Sequence, residues 1–437
     1  MSLLLSCKPQ FEPPVPGKGS IDVTRFVALG SSITAGFTNN ALYYDGQVTS
    51  YSNLLADQFK LIGGGEFRQP LLDPGSIGVG LTNNAPSKLG YKTDCLGVSS
   101  ISPITIATSG DINVFTTNIF STRGPFNNCG VPGMKVIEAV KSGFGNASNG
   151  IGNYNPFFSR MVSNPTTASI LSDAAIINPT FFSILLGMDD VLEFAMSGGT
   201  KNVISPSFGS SGIGFDESFN TIISTLTANG AKGVIGNIPE ITSLPYFTTI
   251  AFNALKLDSS KAAQITNAYS FIDTTLKFYE GNNAFIIADT SQPFGIRQIR
   301  EGEFILLKVP LDSIKCNNMG SLLAIPDKYV LTTNEIVKIE SAINTYNVKI
   351  KSLALTNGLA FVDVNAFFKN IRSGIVYNGI DLNANFVSGG TFSLDGIRLT
   401  PIGNALLANE FIKAINNTYG STIPQVDASK YRGNVFP

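Results

Sequence analysis

Short apolar runs alternate with amphipathic segments along most of the chain, and this alternation constrains the fold more than any other sequence feature. The intervening segments carry apolar residues at helical spacing, as at Ile336, Ile339 and Ile343. Helices that separate strands return the chain to the same edge of a sheet, so the strands pair in parallel. The pattern predicts an α/β fold built on a three-layer, doubly wound parallel sheet. The predicted strands lie at residues 26–29, 181–186, 233–238 and 359–364.

Local capping signals predict where several helices begin and end. Thr332 and Glu335 have the spacing of a capping box, in which each residue satisfies a backbone N–H of the other. Asp216 is a further candidate N-cap, for a helix that runs to residue 228. Thr400 precedes a proline that suits the first turn of a helix, and Gly420 follows the last apolar position of that helix.

Two stretches interrupt the alternation and are predicted to be insertions. Residues 66–125 are rich in Gly, Pro, Ser and Asn, with only short strand-like runs. In residues 281–330, the runs at 284–288 and 303–309 are predicted to pair with each other as a hairpin excursion. No internal repeat or shift in composition divides the rest of the chain, which is therefore expected to form one domain.

Composition excludes several functional classes. The 437 residues carry a net charge of −1, with no basic run, so a nucleic-acid partner is not expected. Only 14% of the residues are charged, a balance common in secreted and surface proteins. The sequence contains no His, which removes the usual base at neutral pH and the commonest metal ligand.

The N-terminal segment has features of a bacterial lipoprotein. An apolar run ends in a small residue and Cys7, which would become the lipidated residue, although most of a signal peptide is missing. Residues 1–19 are then a signal remnant and a proline-rich tether. This interpretation predicts export to the cell envelope and contact with a membrane only through the lipid on Cys7. The alternative is a disordered start with a chance cysteine.

The remaining cysteines leave the redox state open. They are Cys95, Cys129 and Cys316, so at most one disulfide can form among these three. Sequence spacing does not identify which two residues would pair, because connectivity depends on the fold. A disulfide would agree with an exported protein.

Four turns follow or face the ends of the predicted elements and carry polar residues. They occupy residues 30–32, 128–133, 187–190 and 395–398. The carboxyl ends of parallel strands share one edge of the sheet, where α/β folds bind ligands. These turns are therefore expected to lie close together.

The four turns, in this order, resemble those of the SGNH hydrolase superfamily, the GDSL-type esterases and lipases. The resemblance is greatest to a long lipoprotein branch found in Bacteroidetes, and it covers residues 20–437. It implies a single SGNH/flavodoxin-like domain with insertions at about 66–125 and 281–330. It also implies hydrolysis of acyl esters by a serine nucleophile, with no cofactor and no metal.

The family's catalytic roles transfer incompletely to this chain. Ser32 matches the nucleophile, and Gly130 matches a glycine whose backbone N–H helps to form the oxyanion hole. Asp395 matches the acid that orients the catalytic histidine. Asp189 stands where the family has an oxyanion-hole asparagine, and Arg398 stands where the histidine should be. The first of the four turns also departs from the family, because Ser31 stands before the nucleophile where the family has an aspartate.

The two central substitutions predict impaired catalysis. A guanidinium has no acceptor and stays protonated, so Arg398 cannot act as the base for Ser32. A carboxylate at Asp189 offers acceptors where a developing oxyanion needs donors. The resemblance also implies that the turns of Asp189 and Asp395 meet around the serine, so we expect Arg398 to lie between these two acids and to neutralise both. A hard cation held by Asp189, Asp190 and Asp395 is the alternative that an arginine among them opposes.

Three functions remain open at this stage. The first is a ligand-binding pseudo-hydrolase whose partner is a small acyl ester or an acylated carbohydrate. The second is an active esterase or lipase with an unconventional base, for instance Asp189. The third is a structural envelope lipoprotein without a ligand. Tyr43, Tyr44 and Asp45 follow the serine turn and either line a pocket or pack under the first insertion.

Overall fold

A five-stranded parallel sheet forms the centre of the computed structural model, which describes residues 15–150, 152–201 and 204–437. The order across the sheet is β2-β1-β3-β4-β5, and every neighbouring pair is parallel. The prediction of an α/β fold with a parallel sheet is confirmed. The strands are β1 (Phe26–Gly30), β2 (Asn128–Gly130), β3 (Phe181–Leu185), β4 (Lys232–Gly236) and β5 (Ala360–Val362).

The strand order positions the candidate site. It is the order of flavodoxin-like doubly wound sheets, in which the direction of winding reverses next to the first strand. Here the reversal lies between β1 and β3, since β2 pairs on one side of β1 and β3 on the other. The crevice at such a reversal, outside the carboxyl ends of the strands, is the usual ligand position in these folds. Ser32 follows β1 directly at that edge.

Helices flank the sheet, and shorter helices lie in the loops. The principal helices are α1 (Ser32–Ala35), α2 (Tyr51–Lys60), α3 (Ile170–Ile176), α4 (Asp189–Met196), α5 (Phe215–Thr227), α6 (Thr333–Thr356), α7 (Val364–Ser373) and α8 (Pro401–Tyr419). The other α-helices are Tyr44–Val48, Phe120–Arg123, Val136–Ala139, Pro156–Met161, Pro245–Thr248, Ser259–Tyr269 and Leu311–Cys316. Among the described residues, no helix is both long and apolar enough to cross a membrane.

The capping signals predict α6 and α8 correctly and misplace the start of α5. Glu335 accepts a hydrogen bond from the Thr332 backbone N–H at 2.8 Å, and Thr400 Oγ1 accepts one from Gly403 N at 3.3 Å. The predicted N-cap Asp216 instead lies in the first turn of α5. Its side chain is turned back to accept from Gly209 N at 3.1 Å, so it orders the preceding loop.

The core around the sheet is apolar on both faces of the strands. All five residues of β1 and of β3 are buried, as expected for central strands covered on both sides. Phe26, Phe59 and Phe181 meet edge to face, with ring centroids 4.9 and 5.5 Å apart for the pairs that include Phe59. This packing fixes β1 against α2, and so fixes the strand that delivers Ser32.

The second insertion has its own hydrophobic cluster and begins earlier than predicted. That cluster extends from Leu255 to Val330, because strand Leu255–Leu257 pairs with Gly281–Asn283 and helix Ser259–Tyr269 packs in the same cluster. The predicted pairing of residues 284–288 with 303–309 is wrong. The two pairs that form instead are Ile286–Ala288 with Ile296–Gln298 and Phe304–Ile305 with Val330–Leu331.

A disulfide joins the two insertions. Cys95 lies between the strands Ser87–Thr93 and Ser99–Thr105 of the first insertion, and it is bonded to Cys316 of the second, 221 residues away. Cys129 in β2 is a free, buried thiol. The sequence had left this pairing open. Cys7 lies outside the described residues, so the lipid anchor stays a prediction.

Candidate active site

Ser32 occupies the first position of α1, immediately beyond the carboxyl end of β1, and is fully buried. Its Oγ accepts hydrogen bonds from Gly133 N at 3.1 Å and from Arg398 Nη2 at 3.3 Å. The sharp turn depends on Gly30, because a Cβ there would lie 2.5 Å from the carbonyl oxygen of Leu185. The sequence therefore delivers a serine whose oxygen faces two donors.

The backbone donor beside Ser32 is not the one that was predicted. The Gly130 N–H is donated to Asn128 Oδ1 at 2.9 Å, so it does not face the serine. Gly130 is needed for packing, since a Cβ there would lie 2.3 Å from the backbone nitrogen of Ala35. Gly133 supplies the amide near Ser32, and its φ of +75° is one that L side chains rarely adopt. The Pro-Gly pair at this turn was the available sequence signal.

Arg398 lies between Asp189 and Asp395, as the sequence predicts. Its Nη2 is 3.8 Å from Asp189 Oδ1, and its Nη1 is 3.9 Å from Asp395 Oδ2. The three side chains are at most 7% exposed, so this is a buried charge cluster and not a surface pair. The guanidinium also lies 5.1 Å from the ring centroid of Phe37, within cation–π range. Phe37 had not been recognised as a site residue.

Asp395 has a structural role in addition to its charge. Its Oδ1 accepts from Ser393 Oγ at 2.9 Å, from Ile397 N at 2.8 Å and from Arg398 N at 2.7 Å. These bonds fix the turn that precedes α8 and place Arg398 within it. The carboxylate thus orients the turn, while its other oxygen faces the guanidinium.

The two acidic residues at the start of α4 differ in their environment. Burial raises the pKa of Asp189, and the nearby Arg398 charge opposes that effect. Burial likewise raises the pKa of Asp190 to about 7. Asp190 Oδ2 accepts from Val136 N at 2.9 Å, so this residue ties α4 to the helix Val136–Ala139. The carboxylate that belongs to the Ser32 site is therefore Asp189.

The groups that hydrogen-bond to Ser32 Oγ in the described part of the chain are not proton acceptors. Both hydrogen bonds to its Oγ come from donors, and one of those donors is a guanidinium without a lone pair. Among the described residues, no carboxylate forms a hydrogen bond with Ser32 Oγ. The Cys, Asp and Glu side chains of the described residues form no group of three that could hold a metal ion.

The cluster is also closed to solvent, so Ser32 does not line an open cleft. Ser32 has no exposed surface, and Arg398 is 3% exposed. A cavity of about 500 Å³ lies nearby, and its walls include Asn39, Tyr43 and Leu394. Asn39 Oδ1 accepts from Leu394 N at 3.0 Å, so Asn39 forms a wall between this cavity and the turn that carries Asp395.

No family model, curated protein or solved structure matches this chain.

Proposed function

We propose that this chain is a pseudo-hydrolase of the SGNH type: a three-layer, doubly wound domain that retains the catalytic position of an ester hydrolase without its chemistry. Support comes from the strand order and from the four turns, since Ser32, Asp189, Asp395 and Arg398 converge at the carboxyl edge of the sheet. Export to the cell envelope and a lipid anchor on Cys7 belong to the same proposal.

The observation that carries the proposal is the contact between Arg398 Nη2 and Ser32 Oγ. In a serine hydrolase, a histidine at this place accepts the proton of the serine and returns it to the leaving group. Such acid–base catalysis contributes on the order of 10²–10⁴-fold in rate. Asp189 adds a second defect, because loss of one oxyanion donor costs about 10²–10³-fold. A protein with both substitutions is expected to have almost no esterase activity.

The proposed ligand is a small acyl ester or an acylated carbohydrate, bound without turnover. Because Ser32 and the buried charge cluster are covered, such a ligand contacts residues outside the cluster. The protein would then act as a binding component of the envelope. A thermal shift with acetylated monosaccharides, compared with the same sugars without acetyl groups, tests this part.

An active esterase is the second candidate, and the two hydrogen-bond donors at Ser32 favour it. Two donors face Ser32 Oγ, and both would stabilise an alkoxide. A serine with a lowered pKa can attack an ester without a neighbouring imidazole, at low rate. This candidate requires the site to open, since Ser32 is fully buried.

Covalent labelling separates the two candidates. We expect a fluorophosphonate probe to leave the wild-type protein unlabelled, at the background level of a Ser32→Ala control. Hydrolysis of p-nitrophenyl acetate should likewise equal that of the control. Labelling of the wild type that disappears in Ser32→Ala would demand an activated nucleophile and would replace the pseudo-hydrolase by the esterase.

A further inference from the structure

The cavity beside the buried charge cluster has the size and surface of a small-molecule site. Its volume is about 500 Å³, within the range of natural ligand pockets. Its walls come from four separated parts of the chain: the loop after α1, the first strand of the first insertion, the turn before α8 and the C-terminal segment. The residues that matter here are Tyr43, Lys88, Leu394, Tyr431 and Arg432.

The charges around the cavity are unbalanced. Lys88, Lys430 and Arg432 line it, whereas Asp45 is the one carboxylate among its lining residues. Lys430 lies 3.6 Å from Asp427, which is outside the lining, so the excess positive charge comes mainly from Lys88. Arg432 and Asp45 are 3.6 Å apart and both about two-thirds exposed, so this pair is weak and its arginine can turn to a ligand. The lining therefore favours a ligand with a negative charge.

The same walls offer aromatic faces and hydrogen-bonding groups. Tyr43 and Tyr431 line the cavity together with the apolar side chains of Leu89 and Leu394. Tyr43 Oη accepts a hydrogen bond from Asn39 Nδ2 at 2.9 Å, which leaves the hydroxyl proton for donation. Burial raises the pKa of Tyr43 to about 12, so that proton is retained at neutral pH. Flat rings, hydroxyls and amides are the groups that recognise the C–H faces and hydroxyls of a sugar ring.

We propose that this cavity binds a small anionic saccharide, such as a uronic acid, with its carboxylate toward Lys88 and Arg432 and a sugar face on a tyrosine ring. The volume accommodates roughly one or two sugar rings. The tyrosines and the apolar floor favour a saccharide over an inorganic anion, because an inorganic anion makes no use of either. This site does not include Ser32. The proposal of saccharide binding is therefore tested independently of the proposed pseudo-hydrolase.

Calorimetric titration of the whole protein with glucuronate, glucose and sodium acetate tests the proposal. We expect glucuronate to bind at least about tenfold more tightly than either glucose or acetate, with an affinity that falls as salt is added. Equal binding of glucose would overturn the anionic part, and equal binding of acetate would overturn the saccharide part. Absence of glucuronate binding at low salt would overturn the site itself.

Variants locate the binding. Lys88→Gln and Arg432→Gln should each weaken glucuronate binding by about two- to fivefold, the effect of removing one exposed ion pair. Tyr431→Ala should weaken glucuronate and any residual glucose binding by similar factors. Lys351→Gln, an exposed lysine on α6 outside the cavity, is the matched control and should change nothing. If the control weakens binding as much as Lys88→Gln, or if Tyr431→Ala binds glucuronate as tightly as the wild type, the assignment is wrong.

Discussion

Two arginines in this molecule each lie between two carboxylates, and their contacts differ. Arg297 in the second insertion donates Nε to Asp289 Oδ2 at 2.6 Å, and it pairs with Glu303 through two parallel hydrogen bonds of 2.7 and 2.8 Å. The Arg398 guanidinium approaches the carboxylates of Asp189 and Asp395 no closer than 3.8 and 3.9 Å. Direct, charge-assisted hydrogen bonds of the first kind are about twice as strong as neutral ones.

The pKa directions follow the same division. Burial raises the pKa of Asp289, but hydrogen bonds from Ser291 and Arg297 outweigh burial and lower that pKa to about 2. The pKa of Glu303 is also lowered, because burial, which raises it, is outweighed by the hydrogen bonds from Arg297, Arg300 and Thr333 taken together. Around Arg398 the balance reverses, and burial raises the pKa of Asp189. The same residue types thus give a stabilised cluster in one place and a costly one in the other.

The difference indicates what each cluster does. The Arg297 cluster holds the second insertion to the start of α6, where Glu303 also accepts from Thr333 N at 3.1 Å. In the Arg398 cluster, Arg398 Nε and Asp395 Oδ2 are buried and have no protein hydrogen-bond partner. Buried polar atoms without partners reduce stability. An ion pair selected for stability alone would not be built in this way, which supports a site whose residues were set by another function.

The largest expected effect comes from rebuilding the chemistry at the Arg398 cluster. We expect the double variant Arg398→His, Asp189→Asn to hydrolyse p-nitrophenyl acetate on the order of 10²–10⁴-fold faster than wild type, because it supplies a base and an oxyanion donor. Arg398→His alone should gain much less, since it leaves the buried Asp189 without its cation. Initial rates of the purified variants measure both gains.

The control for this experiment is the triple variant that adds Ser32→Ala. Any gain that passes through the serine must disappear in it. If Arg398→His alone is as fast as the double variant, the two substitutions are not coupled. If neither variant exceeds the triple control, the resemblance of this site to a hydrolase centre loses its main support.

The next effect is on stability and compares the two arginines directly. Arg297→Met leaves the buried Glu303 without its cation, and removal of one member of such a pair costs about 3–5 kcal/mol. Arg398→Met should cost less, roughly 1–2 kcal/mol, because the lost contacts are long and Asp189 can take up a proton. Urea unfolding at pH 7 gives both free energies. A loss for Arg398→Met equal to or above that for Arg297→Met would contradict the comparison.

Part of the sheet could be predicted from the sequence because β1 and β3 are apolar runs with a glycine at or just beyond their carboxyl ends. Residues 26–29 and 181–186 coincide closely with β1 and β3, and Thr400 and Gly420 bound α8 as expected. These signals are local, so a single segment carries enough information. The strand pairing inside the second insertion could not be predicted from single segments. Its strands are two or three residues long, and tertiary contacts decide their partners.

The candidate site was predicted in its residues but not in its geometry. The position of Arg398 between two acids was predicted from the resemblance, which implies that the turns carrying these residues meet around the serine. The donor to Ser32 could not be predicted, because the direction of a backbone N–H depends on the turn, and here Gly133 faces the serine while Gly130 does not. Ser32 is fully buried beside Arg398, whose guanidinium lies over the ring of Phe37. Nothing in local spacing reports such packing.

The smallest expected effect is also the one that separates the clusters by sign. Asp289 has a lowered pKa in the folded state, so its ionised form adds stability above pH 4 that is lost as the pH falls toward 2. Asp289→Asn should therefore destabilise the protein at pH 7 by about 1 kcal/mol, a value reduced because the Asp289 side chain is partly exposed, and the cost should shrink as the pH falls below about 4.

Asp189 should behave in the opposite way. The pKa of Asp189 is raised in the folded state, so protonated Asp189 favours the fold in acid. This contribution is lost progressively as the pH rises above about 4, the ordinary pKa of an unfolded aspartate. Asp189→Asn should match the wild type in acid and become more stable than it as the pH rises to 7. Thermal unfolding of both variants across pH 3–7 measures the two slopes. Parallel slopes of the same sign would mean that the carboxylates of the two clusters are held alike. The Arg297 cluster could then not be distinguished from the Arg398 cluster by its contribution to stability.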